Sequence, residues 1–267
     1  MTDIRDEIFK DITNHTVLAK IIVASNGIIS GGTAALKEAE SLGLTILKWP
    51  DDGTFFTAGD EIAAFTGTPK QIALAEDVLM GCMAKPSGIA TSARQFVDRA
   101  AGRPRIVSGS WKKMPLPLKD IIRKAVAAGG ADIRISDEPF VYLDKNYIKM
   151  LGGIREALVA ADSLNGRKRV VQIHGYFKKI EPEAIEAAEN GADIIFIDTG
   201  NIRDARAVLR ILEENNRRKQ VQIAFAGGLR LADLDRLKRL DIDILDIGRA
   251  IVDAPLLDMR MEVVNTA

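Results

Sequence analysis

The sequence predicts an α/β protein whose larger part is an incomplete (β/α) barrel, and three observations carry that prediction. From Arg103 onward, apolar runs of strand length alternate with runs of helix length, the pattern of βαβ units on a mainly parallel sheet. Two of the last strands run straight into glycine, Val221-Gln222-Ile223-Ala224-Phe225-Ala226-Gly227-Gly228 and Ile242-Asp243-Ile244-Leu245-Asp246-Ile247-Gly248-Arg249. Residues 1–100 have a different texture, with short elements set between Ser25-Asn26-Gly27, Ser30-Gly31-Gly32 and Pro50-Asp51-Asp52-Gly53.

In the first hundred residues, Leu18–Ala24, Leu44–Trp49 and Glu61–Thr66 read as strands and Thr33–Leu42 as a helix. Thr68 to Met83 reads as a longer helix, with Thr68 as N-cap, Pro69 in the first turn and Ile72, Leu74, Ala75, Val78 and Leu79 near the 3.6 period. In the later part the strands are Arg105–Ser108, Phe140–Leu143, Val170–His174, Asp193–Ile197, Val221–Ala226 and Ile242–Ile247. The helices between them are Leu118–Ala128, Asn146–Ala161, Pro182–Asn190, Arg203–Asn215 and Leu231–Leu240. Six strands are too few for an eight-fold barrel, so a truncated or irregular barrel of about six to seven strands is expected, closed or nearly closed.

Composition narrows the function classes. The 37 basic and 37 acidic residues give no net charge and no general attraction to nucleic acid or anionic lipid. A single cysteine, Cys82, excludes an internal disulfide framework. The charged start Met1-Thr2-Asp3-Ile4-Arg5-Asp6-Glu7 does not resemble a signal peptide, and no apolar run spans a bilayer. A soluble cytoplasmic protein is expected.

In a barrel of this type the chemistry gathers at the C-terminal strand ends. Those ends carry Ser110-Trp111-Lys112-Lys113, Arg134, Asp144-Lys145-Asn146-Tyr147, His174, Asp198-Thr199-Gly200, Gly227-Gly228 and Gly248-Arg249. Glycine turns opening helices present bare N–H groups to an anion, so Gly227, Gly228, Gly248 and Arg249 are candidates for a phosphate. Simple turn glycines are the competing reading. Asp198 suits either a helix N-cap or a magnesium ion; Lys112, Lys113 and Arg134 suit an anionic ligand or solvated surface. His174 suits a structural hydrogen bond as well as catalysis, and Trp111 suits a ring stack or packing. A phosphate- or pyrophosphate-bearing ligand with a divalent metal fits this set.

These residues in this order resemble the quinolinate phosphoribosyltransferases over nearly the whole chain. The resemblance rests on Asp52-Gly53, Ala58-Gly59-Asp60-Glu61-Ile62-Ala63, Gly67, Ser87-Gly88-Ile89-Ala90-Thr91, Ala125-Val126, Gly129-Gly130, Gly191-Ala192-Asp193-Ile194-Ile195, Asp198, Gly227-Gly228 and Gly248. It implies an N-terminal α/β sandwich over residues 1–100 and an incomplete barrel over 101–254, with the tail from about 255 to 267 packed back on the sandwich. It also implies phosphoribosyl pyrophosphate and Mg²⁺ as reactants, and a homodimer with its active site at the subunit interface.

The chain departs from the family pattern at the site. The family's Glu-Arg pair reads Glu76-Asp77, its Thr-Arg-Lys-Thr reads Trp111-Lys112-Lys113-Met114, and its His-Arg reads Ile133-Arg134. Its Lys-Asp-Asn-His reads Asp144-Lys145-Asn146-Tyr147, and its Glu-Val-Glu strand reads Gln172-Ile173-His174. An aspartate facing a dicarboxylate in place of arginine costs about 2–5 kcal/mol. The expectation is therefore transfer of phosphoribose to a nitrogen heterocycle other than quinolinate, with Lys113, Arg134 and Asp198 catalytic. Asp77, Lys112, Asp144, Lys145 and His174 are expected around the substrates, and Asp198 beside magnesium; a helix-face carboxylate is the competing reading of Asp77 and a capping carboxylate that of Asp144. The alternatives are a paralogue that binds a phosphorylated metabolite without transfer, and an ordinary quinolinate enzyme with an unusual site.

Overall fold

A computed structural model of the chain describes residues 3–176 and 178–264. In chain order the elements are α1 (Ile4–Ile8), β1 (Val17–Val23), β2 (Gly27–Ile28), α2 (Gly32–Ser41), β3 (Thr45–Lys48), β4 (Phe55–Phe56), β5 (Glu61–Gly67) and α3 (Pro69–Ala100). They continue with β6 (Arg105–Val107), α4 (Lys119–Ala128), β7 (Phe140–Leu143), α5 (Lys145–Leu151), α6 (Ile154–Ala161), β8 (Lys168–Ile173) and α7 (Ile180–Glu189). The series closes with β9 (Ile194–Ile197), α8 (Ile202–Glu214), β10 (Gln222–Ala226), α9 (Leu234–Leu237), β11 (Ile244–Asp246), α10 (Arg249–Val252) and β12 (Met259–Val264). Among the described residues no helix is long and apolar enough to cross a membrane.

The chain divides into two compact units, Met1–Arg94 with Lys113–Gly130 and Ile251–Ala267, and Gln95–Lys112 with Ala131–Ala250. The units are therefore interleaved in sequence rather than consecutive about residue 100. The segment holding α4 belongs to the first unit because Gly129 meets α3 there, where an added Cβ would lie 2.3 Å from the Ala90 carbonyl oxygen. The expected return of the tail is seen in β12, which pairs antiparallel with β1 from Leu18–Val264 to Val23–Met259. Residues 265–267 of that expected tail lie outside the described residues.

The first unit is a sandwich of an antiparallel sheet, ordered β12-β1-β5-β3, with helices on one face. Alternation along β1 buries Ala19, Ile21 and Val23, while Lys20 on the opposite face pairs with Glu61 at 2.7 Å. Ala35 and Ala39 of α2, and Ile72, Ala75, Leu79 and Met83 of α3, fill the same core. Thr68 starts α3 with a reciprocal cap: Gln71 donates its N–H to Thr68 Oγ1 at 3.4 Å, and Thr68 donates its N–H to Gln71 Oε1 at 2.8 Å.

The expectation that α3 ends at Met83 is corrected, since the helix runs for 32 residues through Pro86. Proline removes one ladder bond, but the turns beyond it bury Ile89, Ala90, Ala93, Phe96 and Ala100, which more than offsets the loss. The motif Ser87 to Thr91 is a docking edge rather than chemistry. Buried Ser87 Oγ accepts from Ser30 N–H at 3.0 Å and donates to Ser30 O at 3.1 Å, and Thr91 Oγ1 accepts from Ile28 N–H at 2.9 Å. Gly88 lets the tail approach so closely that an added Cβ would lie 1.8 Å from the Pro255 oxygen.

The second unit carries six parallel strands in the order β6-β11-β10-β9-β8-β7. A single parallel bridge from Val107 to Asp132 adds a seventh position beside β6. Asp132 sits at the C-terminal end of β6, whereas β7 begins at Phe140. Residues 133–139 must therefore descend along the open seam between the two edges. Alternation sends Val107, Val170, Ile194, Phe196, Ala224, Ala226 and Ile244 into one inner cluster with Ile135, Phe140 and Tyr142. The single helix expected over Asn146–Ala161 is two, because Gly152 at φ +96° caps α5 before α6 begins. The helix expected over Leu231–Leu240 shrinks to a 3₁₀ turn, Leu231–Asp233, followed by α9.

Packing at Gly88 yields a test. Gly88→Ala should destabilise the protein by about 1–3 kcal/mol in urea unfolding, as overpacking against backbone does. Gly81→Ala, on the same helix with nothing within 4 Å of the new methyl, should instead stabilise by about 0.5–1 kcal/mol.

Candidate active site

The inner row of the barrel is set by a two-residue period. Counting on from Val170, Phe196, Ala224 and Ile244, the same face reaches Gln172 and His174, Asp198, Gly228, and Asp246 and Gly248 at the C-terminal ends. From Phe140 it reaches Tyr142 and Asp144. Sequence reasoning selected His174, Asp198, Gly228, Gly248 and Asp144 from that row, but passed over Tyr142 and Asp246 as site residues. The alternation that marks Val170 and Phe196 as inward could have found both.

Gln172 links two of the strand ends. Its Oε1 accepts from the Lys145 N–H at 3.0 Å, which turns its amide nitrogen toward Asp198 Oδ2 at 2.8 Å. Asp198 thus keeps one oxygen on a neutral donor at the barrel mouth. Tyr142 packs edge-to-face on Phe196 at 5.6 Å, and its hydroxyl is pushed far above the ordinary tyrosine value by burial and by Asp198, Asp246 and Asp144. It is a hydrogen-bond donor at any physiological pH. Burial also lowers the His174 imidazole, outweighing the opposite pull of Asp198. His174 stacks on Tyr176 at 4.7 Å, and its Nε2 is buried without a partner among the described residues. Its loop is tied down by Glu183, whose Oε2 accepts from the N–H groups of His174 at 3.1 Å and Gly175 at 2.7 Å.

The glycine turns are held by close approach as well as by conformation. Gly200 at φ +67° and Gly227 at φ +115° meet back to back, and the Gly200 N–H donates to Ala226 O at 2.8 Å. Gly228 at φ +70° has nothing within 4 Å of where a Cβ would stand, so its backbone faces open space. Gly248 abuts Ser110, whose Oγ would lie 2.7 Å from an added Cβ, and exposed Arg249 opens α10.

Beside the barrel mouth a cavity of about 570 Å³ runs along the open seam. Trp111, Phe140, Tyr142 and Phe196 supply its aromatic wall, and Lys112, Arg134 and Arg167 its cations. Trp111 is fixed by donating from Nε1 to Ile133 O at 3.0 Å, and Lys112 Nζ stands 5.2 Å over the Tyr142 ring. None of those three cations forms an ion pair among the described residues. Of the carboxylates on the cavity, Asp246 accepts from the Gly109 N–H at 3.0 Å and Glu138 pairs with Lys168 at 2.8 Å, leaving Asp137.

Asp77, expected to repel a dicarboxylate, and Asp144, expected near the substrates or as a cap, are both engaged elsewhere. Asp144 caps α5, accepting from Asn146 and Tyr147 N–H groups at 2.8 and 3.1 Å. Asp77 is exposed on α3 in the first unit and pairs with Arg5 Nη2 at 2.6 Å, so a cation stands beside it again. Lys113 also belongs to the first unit, exposed at the end of the turn Ser110–Lys113, whereas exposed Lys145 lies at the start of α5 in the second. Among the described residues no three His, Cys, Asp or Glu side chains gather as a metal site. Asp198 alone fits magnesium only when phosphate oxygens supply further ligands.

The comparisons with known proteins agree with this architecture. Residues 3–87 match the N-terminal domain of quinolinate phosphoribosyl transferase and residues 89–262 its C-terminal domain. A probable nicotinate-nucleotide pyrophosphorylase (carboxylating) of Methanothermobacter thermautotrophicus is 27% identical over 270 residues, covering 96% of this chain and 94% of its own. The human nicotinate-nucleotide pyrophosphorylase (carboxylating) is 26% identical over 204 residues, covering 75% of this chain and 67% of its own. The crystal structure of the nicotinate-nucleotide pyrophosphorylase from Pyrococcus furiosus shares the fold at a TM-score of 0.84 and 21% identity, over 99% of this chain and 74% of that one. Matched over both halves, the chain belongs to the quinolinate phosphoribosyltransferase family and is a phosphoribosyltransferase in class.

Proposed function

We propose that the protein transfers phosphoribose from phosphoribosyl pyrophosphate to an aromatic nitrogen heterocycle that bears a carboxylate. The observation that carries this reading is the upper end of the seam cavity, where unpaired Lys112 and Arg134 stand beside the rings of Trp111 and Tyr142. A flat ring suits the aromatic wall, and a carboxylate suits the two cations. With Asp77 and Asp144 engaged, the reason for setting quinolinate aside is gone, and it becomes the first acceptor to try.

In this reading Gly227, Gly228, Gly248 and Arg249 receive the 5′-phosphate, and Lys145 the pyrophosphate. Asp198, together with pyrophosphate oxygens, would hold a magnesium ion, which would offset charge on the leaving group. Asp198, oriented by Gln172, then faces the positive charge that grows on the sugar. The Tyr142 hydroxyl stays protonated and is a donor available to an anionic ligand. Catalysis is positioning plus charge stabilisation, with the acceptor nitrogen held in line by Lys112 and Arg134. A homodimer, which the family resemblance implies, belongs to this reading, and light scattering of the purified chain checks it.

Pyrophosphate release with quinolinate and with pyridine monocarboxylates tests the proposal. Arg134→Ala should cut kcat/KM for the acceptor by about tenfold to a hundredfold, the cost of one charged hydrogen bond, while the affinity for phosphoribosyl pyrophosphate stays as it was. Absence of release with every aromatic acid, alongside intact binding of phosphoribosyl pyrophosphate, would instead favour a binding protein. Gln172→Glu sets a carboxylate against Asp198 and removes a donor, so stability should fall by about 1–3 kcal/mol. Added magnesium should raise the Tm of that variant more than that of the wild type, because two carboxylates hold the ion better than one.

A further inference from the structure

The seam cavity is longer than one ring requires, and we infer that it accepts an elongated aromatic dianion, two fused or linked rings with an acid group at each end. The inference rests on the reading that Lys112 and Arg134 hold the acceptor at the upper end. Arg167 marks the lower end. It directly precedes β8, whose first residue, Lys168, donates its N–H to Pro139 O at 2.8 Å at the foot of the seam. In the strand register Phe140 lies opposite Lys168 and Tyr142 opposite Val170. Three residues thus separate Arg167 from the level of Tyr142, about 10 Å of strand.

Charge and shape agree along that length. Arg167 lines the cavity with no ion pair among the described residues: Glu138 pairs with Lys168 at 2.8 Å, and Asp137, also on the lining, forms no ion pair with it. Phe140 and Tyr142 of one strand and Phe196 of another supply the apolar wall between the two cationic ends. The volume of about 570 Å³ falls in the middle of the range for small-molecule sites. A body that is flat in the middle and anionic at both ends matches this lining, whereas a monocyclic acid leaves Arg167 without a partner.

Calorimetric titration of the full chain with naphthalene-2,6-dicarboxylate as the long probe and pyridine-2,3-dicarboxylate as the short one tests the inference. The wild type should bind both. Arg167→Ala should weaken the long probe by about tenfold or more, the loss of one charge-assisted contact, and the short probe by less than about twofold. Failure of the long probe to bind the wild type would overturn the inference, as would an equal effect of the substitution on both probes, or no effect on the long one. Titration with phosphoribosyl pyrophosphate and magnesium runs alongside. Its failure would sink the transferase reading, while the two probes would still decide the seam.

Discussion

The parallel register of β7 through β11 is the constraint on which the rest of the site depends. Because side chains alternate, each strand delivers only every second residue to the interior, and a one-residue slip would turn that strand's polar residue outward, Gln172 for β8 or Asp246 for β11. The strands are also buried on their outer face by helices, so their apolar runs are continuous and the polar residues are confined to their ends. Gln172 shows how tightly those ends are coupled: one amide joins the first N–H of α5 to the carboxylate of Asp198. The incomplete closure has the opposite effect. Where a further strand would fill the interior, a descending loop leaves a cavity walled by rings and cations.

Much of this was legible in the sequence. The β-strands from Arg105 to Ile247 were placed within a residue or two, since continuous apolar runs between helix-length segments have few other readings. At the two glycines singled out after β10 the structure shows different needs: Gly227 is required for close approach to Gly200, and Gly228 stands in an open backbone turn. What could not be read was a distant partner: Asp77 looks like a new anion in a list of residues, yet Arg5 pairs with it from 72 positions away. Asp144 takes the capping role that was its competing reading, because the cap lies within three residues of it. Arg167 was missed because a seam formed by an absent strand has no local signature, whereas the strand period did mark Tyr142 as inward.

The first unit shows the same division between pattern and contact. Its period-2 strands and amphipathic helices announced a half-buried sheet, but not the continuation of α3 beyond Met83 through Pro86, a residue that locally disfavours helix. Long-range burial on both sides of Pro86 outweighs that local preference. The stretch from Ser87 to Thr91, the most literal family match, turns out to serve packing through Ser30, Ile28 and the Pro255 carbonyl. Family likeness therefore marks fold in this unit.

The claim that the barrel mouth grips a pyrophosphorylated sugar through Asp198 is met most directly by calorimetric titration of phosphoribosyl pyrophosphate in the presence and absence of magnesium, on the wild type and on Asp198→Asn. Magnesium-dependent binding that Asp198→Asn weakens severely, with the variant still folded, is the result the account predicts. Absence of binding to the wild type, or binding indifferent to both the metal and Asp198, would contradict it.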